Sequence, residues 1–138
     1  MGESFVVDNS VVMSWCFRDE THPYADRVLD YLAEATAFVP SIWPLDVVNV
    51  LLVAERKKRL DEAGSVRFIT LLSQLPIVVE YERPEMMMDL LALARANKLS
   101  GYDASYLHLS LRKGIPIATV DNRLMEAAKM AHVPMLTV

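Results

Sequence analysis

A single cysteine, Cys16, stands among the 138 residues, so the chain cannot close an internal disulfide, and no Cys/His cluster has zinc spacing. So little cysteine suits a reducing compartment, and a cytoplasmic location is expected. Long apolar runs are also missing. FVV (5–7) is stopped by Asp8 and VVMSWCF (11–17) by Arg18, which leaves no signal-peptide pattern and no stretch of membrane-spanning length; no membrane association is expected. Nor is there a basic excess: the net charge is −4, against the usual footprint of a nucleic-acid binder. That exclusion weakens if some of the acids bind divalent cations, because a bound ion reverses the local charge and can accept a phosphate. The nearest basic patch, ERKKRL (55–60), reads as the solvated polar end of a helix. No G-x-x-x-x-G-K or G-x-G-x-x-G phosphate loop, internal repeat or linker appears.

What remains is ordinary core-making material. Hydrophobic residues make up 53% and charged ones 23%, which predicts one compact domain over residues 1–138. SFVV (4–7) reads as a buried strand, SVVMSWCF (10–17) as a short helix and HPYADRVLDYLAEA (22–35) as a second helix, followed by the strand AFV (37–39). Pro44 suits the first turn of a helix running through LDVVNVLLVAERKKR (45–59), and DEAGSVRFITLLSQL (61–75) is the next helix. PIVVEY (76–81) predicts a third strand and RPEMMMDLLALARANK (83–98) a helix whose methionines are expected to pack. GYDASYLHLSLRK (101–113) is a helix stopped by Gly114, IPIATV (115–120) a strand, the residues after Asp121 a helix, and PMLTV (134–138) a last strand. Strands alternating with helices imply a mostly parallel sheet in a three-layer α/β/α sandwich.

Ligands of such sheets bind beyond the carboxyl ends of the strands. Asp8 closes the first strand and Asp121 the fourth. Asp46 lies in the first turn of the helix after strand two, with Asn49 one turn further along the same face, and Asp103 opens the helix that feeds strand four. Each acid alone is a good helix-start residue. Together they would repel one another unless a cation neutralised them, and an oxygen-only set points to Mg²⁺ or Mn²⁺ rather than zinc. His22, His108 and His132 lie on predicted helices and are read as structural. With no Ser-His-Asp or Cys-His set evident, the nucleophile is expected to be a water activated by the metal.

The blocks VVDNSV (6–11), VPSIWPLDVVNVLL (39–52), GYDASYLHLS (101–110) and IATVDNRLMEAA (117–128), in this order and spacing, resemble the PIN-domain ribonucleases, specifically the VapC-type toxins of toxin–antitoxin modules. The resemblance covers nearly the whole chain. It implies a metal-dependent endoribonuclease with Asp8, Asp46, Asp103 and Asp121 as the catalytic acids. Asp8, Asp103 and Asp121 would be the metal ligands, with Ser10, Asn49 and Thr119 as supporting polar groups. It further implies an RNA substrate, a homodimer and a cognate antitoxin protein. One departure stands at residue 46, where the family's usual glutamate is aspartate, shorter by one C–C bond of roughly 1.5 Å. A water could restore contact, the backbone could shift, or activity could fall. Whether one or two metals act stays open.

A receiver-type domain would need a paired acid cluster near the N-terminus and a lysine ending the last strand, where this chain reads HVPMLTV. An aspartyl phosphatase would want a carboxylate two residues after Asp8, where Ser10 stands. The stronger rival is a catalytically weakened PIN-like module that binds RNA or a protein without cutting.

Overall fold

The computed structural model describes residues 3–17, 19 and 22–138; Arg18, the end of the second apolar run, lies outside them. Strand β1 (Glu3–Val7) begins the chain, and its Phe5, Val6 and Val7 are all fully buried, as an unbroken apolar run in an interior strand should be. Helices α1 (Asn9–Ser14) and α2 (Pro23–Tyr31) lead to β2 (Ala35–Pro40). Next come α3 (Trp43–Arg56), α4 (Glu62–Ser73) and β3 (Ile77–Glu80). A 3₁₀ turn (Pro84–Met86) opens α5 (Met87–Asn97); α6 (Gly101–Lys113), β4 (Ile117–Ala118) and α7 (Asn122–Met130) complete the order.

All pairings are parallel, in the order β3-β2-β1-β4. The chain therefore steps outward from β1 to β3 and then returns past its starting strand. Right-handed crossovers place the helices of the outward steps on one face and those of the return on the other, which gives the three-layer α/β/α sandwich expected from the sequence. The order reverses beside β1, so the crevice for a ligand lies between the carboxyl ends of β1 and β4.

Several expected boundaries move. α1 stops at Ser14 rather than Phe17, and α2 stops at Tyr31, so Ala35, read as a helical residue, starts β2 instead. β4 has two residues where six were expected. Its continuation is diverted: the N–H groups of Val120 and Asp121 donate to the hydroxyls of Ser10 and Thr119, at 3.1 and 3.0 Å, in place of a neighbouring strand. PMLTV is not a strand. Pro134 has no N–H for a ladder, and only a bridge from Ile117 to Met135 forms. Met87 and Met88 are exposed rather than packed, while Met86 is half-buried with its Sδ 3.0 Å from Arg112 Nη1. The basic stretch is not uniformly solvated either, since Arg59 pairs with Asp19 at 3.2 Å and lies over the Phe17 ring. Gly114 ends α6 as expected, with φ 64° in the left-handed region that favours glycine.

Candidate functional site

Asp8 leaves β1 at the crevice and caps α1, its Oδ1 accepting from the Val11 N–H at 3.2 Å. Capping does not exhaust it. Ser10 Oγ donates to the same oxygen at 2.6 Å, and Thr119 Oγ1 donates to Oδ2 at 2.6 Å. Those two hydroxyls in turn accept the Val120 and Asp121 N–H groups, so the end of β1 and the segment after β4 are laced together through one carboxylate. Asp8 is 5% exposed and Thr119 2%. Burial pushes the Asp8 carboxyl up to about 6, against the hydrogen bonds from Ser10, Thr119 and Val11; the nearby charge of Asp121 pushes it further up.

Asp121 caps α7, accepting from the Arg123 and Leu124 N–H groups at 2.8 and 3.3 Å. Asp103 is not a cap. Ser100 caps α6, its Oγ accepting from the Asp103 N–H at 3.0 Å, so the Asp103 carboxylate has no capping role. Burial raises the Asp103 carboxyl, the Asp121 charge raises it further, and Ser100 and Arg123 draw it back. Asp46, in the first turn of α3, is raised by burial; a hydrogen bond lowers it and the Asp103 charge raises it. The four acids are thus linked by repulsion, Asp8 with Asp121, Asp121 with Asp103, and Asp103 with Asp46.

The hydrogen bond on Asp46 comes from Tyr106, whose hydroxyl donates to Oδ2 at 2.8 Å across 60 residues of sequence. Tyr106 is 2% exposed, and burial together with the charges of Asp46, Asp8 and Asp103 keeps its phenol protonated and donating. Sequence reasoning missed Tyr106, although it stands three residues after Asp103 and so on the same face of α6. Tyr24 was missed too: its hydroxyl donates to the Leu136 carbonyl at 2.7 Å, and burial and the Asp8 charge push it up to about 12. Asn49 lies apart from this network. It is exposed on α3, beside Phe17, Val53 and Lys57. His22 caps α2 through Nδ1 and His132 lies in the turn after α7, so neither is on a helix as expected, while His108 is buried on α6.

Tyr106→Phe is expected to cost about 1.5–3 kcal/mol, the scale of a hydrogen bond to a charged group. Because the bond favours ionised Asp46, whose carboxyl burial raises, the loss should shrink as pH falls and that acid takes up a proton; melting curves over a descending pH series check it.

Among the described residues, no three Asp, Glu, His or Cys side chains already stand close enough together to hold a metal ion. The donor set nonetheless suits one of a particular kind. It is all oxygen, its members repel one another, and its most buried carboxylate is held in one orientation with a lone pair of Oδ2 to spare. Those are the requirements of a hard divalent cation.

A family model described as the PIN domain matches residues 5–130. No curated protein matches the chain. Among solved structures, PAE2754 from Pyrobaculum aerophilum is similar at a TM-score of 0.69 and 22% identity, covering 92% of this chain and 87% of that one. VapC20 of Mycobacterium tuberculosis, described as a sarcin-ricin loop cleaving toxin, is similar at a TM-score of 0.66 and 17% identity, covering 89% and 94%. The matched span takes in all four acids and reaches all four strands of the sheet: the chain belongs to the PIN domain family.

Proposed function

We propose that this chain is an endoribonuclease that hydrolyses RNA phosphodiester bonds with the help of Mg²⁺ or Mn²⁺, and that it is the toxin of a toxin–antitoxin pair. One observation carries the reading. A buried carboxylate, Asp8, is held by Ser10, Val11 and Thr119 at the topological switch point, with its proton affinity raised and Asp121 beside it. A purely structural cap has no need of that many donors or of a like-charged neighbour.

Asp8, Asp103 and Asp121 would hold the ion. When bound, it lowers the pKa of a water and takes up negative charge developing on the phosphate. The chain supplies the rest. Ser10 and Thr119 fix the Asp8 carboxylate so that no reorientation is needed as the reaction proceeds. Thr119 also receives the Asp121 N–H, so the placement of one acid is tied to that of the other. Asp46 keeps its orientation through Tyr106, and its raised proton affinity suits it to accept a proton from the attacking water. The family likeness further supports a homodimer, a cognate antitoxin covering the crevice, and work in the cytoplasm. Among the described residues, no helix is long and apolar enough to cross a membrane.

Incubation of the wild type with a mixed RNA pool and Mn²⁺ or Mg²⁺ is expected to give products that chelation prevents and that Asp103→Ala loses. Products persisting unchanged in Asp103→Ala would remove the site assignment. No product under any divalent ion would favour the module that binds without cutting. Asp46→Glu is the companion: a longer acid must displace Tyr106, so a rate that does not change would show that this hydrogen bond is dispensable.

A further inference from the structure

Four carboxylates at one crevice of an already acidic chain repel RNA unless cations stand close by. Several basic side chains are occupied elsewhere: Arg59 with Asp19, Arg83 with Glu85 and Lys113 with Glu80. Lys98 and Arg123 are exposed and, among the described residues, make no salt bridge. Both line a cavity of about 590 Å³ that runs from the end of α5 along the length of α7, from Asn122 to Met130. Asn122 and Arg123 follow Asp121 directly, and the Arg123 charge is felt at the Asp103 carboxyl. Lys98 ends α5 in the left-handed region, φ 53°, two residues before the Ser100 cap of α6. The lining is thus close in the chain to both acids, with Arg123 two residues after Asp121 and Lys98 five before Asp103.

Its lining is mixed in a way that suits a nucleotide. Asn97 Nδ2 is spent on the Leu93 carbonyl at 3.0 Å, which leaves its amide oxygen as an acceptor. Met130, 74% exposed, offers a polarisable apolar surface for a base. Glu126 is the one acid of the lining, so phosphates belong at the Lys98 and Arg123 end.

We infer that this cavity seats the single-stranded RNA next to the cleaved phosphate, Lys98 and Arg123 holding backbone phosphates and Met130 lying against a base. The inference rests on the ribonuclease reading above. Both residues are positioning residues that act on the substrate backbone away from the reacting atoms.

Single-turnover cleavage of a labelled single-stranded RNA, with protein in excess and KCl varied, tests it in Lys98→Asn, Arg123→Gln and the double variant. Asparagine tolerates the left-handed backbone at 98. In the double variant the half-saturating protein concentration is expected to rise about tenfold, and in Lys98→Asn alone it should rise while the plateau rate stays within about twofold. The log–log salt slope should become shallower by about 1.4, roughly 0.7 for each phosphate of a single strand that is no longer neutralised. Lys98→Arg and Arg123→Lys should retain the wild-type values. Lys98→Asn is the cleaner arm, because removing Arg123 also shifts Asp103. An active wild type whose half-saturation and salt slope are matched by the double variant overturns this inference and leaves the ribonuclease reading standing. A wild type that cuts no RNA overturns that reading instead. Fluorescence titration of the same RNA then decides the cavity's role: a shallower slope in the double variant supports it and an unchanged one ends it.

Discussion

Asp8→Asn is expected to abolish RNA cleavage, by at least about 10²-fold, and to leave the protein more stable at neutral pH than the wild type. The two effects share one cause. Burial raises the Asp8 carboxyl from 3.8 to about 6, a bias of roughly 3 kcal/mol against the charged form in the folded state. A carboxyl whose folded value lies above its unfolded value stabilises the fold fully below pH 3.8 and loses that contribution as pH rises through about 6. At pH 7.5 the wild type therefore holds an ionised group where the protein prefers a neutral one. Asparagine has the same shape and no charge. Its Oδ1 can accept from Ser10 and Val11, although the Thr119 proton loses its acceptor. The net gain should be about 1–2 kcal/mol, or about 3–6 °C in Tm for a domain of this size. At pH 4 the gain should fall toward zero, because the wild-type carboxyl is then protonated in the folded state. A variant that gains nothing at pH 7.5 relative to pH 4 would show that the buried charge costs the fold little.

Millimolar Mn²⁺ should raise the Tm of the wild type at pH 7.5, since a cation that binds only the folded state adds to its stability. At a concentration about 100 times its dissociation constant the addition is about 2.7 kcal/mol, and the corresponding rise is about 8 °C. Protons compete for the same oxygens, so the rise should shrink as pH falls through about 6, where Asp8 is half protonated. Asp8→Asn should lose most of it. Asp26→Asn, at an exposed acid on α2, should keep all of it. An equal rise in Asp8→Asn would place the ion elsewhere on the protein.

Much of this was legible in the sequence alone. The run FVV ending in aspartate, the proline opening α3, and Gly114 after α6 are local signals, and local signals survive folding. The sandwich class followed from the alternation of strands and helices, and Asp8 and Asp121 could be placed because each follows a strand. What could not be read was pairing at long range. Nothing in the spacing of YDASYLHLS says that Tyr106 reaches Asp46 on another helix, and Asn49 shares a helical face with Asp46 without joining its network. β4 was overestimated for a related reason: IPIATV has strand-forming composition, yet its last N–H groups are claimed by Ser10 and Thr119. Ser10 was read as a supporting residue, but the sequence could not disclose that its hydroxyl helps end a strand.

The bond between Thr119 and Asp8 spans 111 residues, joining a side chain near the start of the chain to one near its end. A ribosome adding about 5–20 residues per second needs roughly 6–20 s to emit that intervening stretch. Throughout that interval the nascent polypeptide carries Asp8 without its counterpart from the far end. On the ribonuclease reading, the crevice would thus stay unassembled, and the nascent chain inert toward the messenger being translated, for as long as the stretch between those two residues is being made.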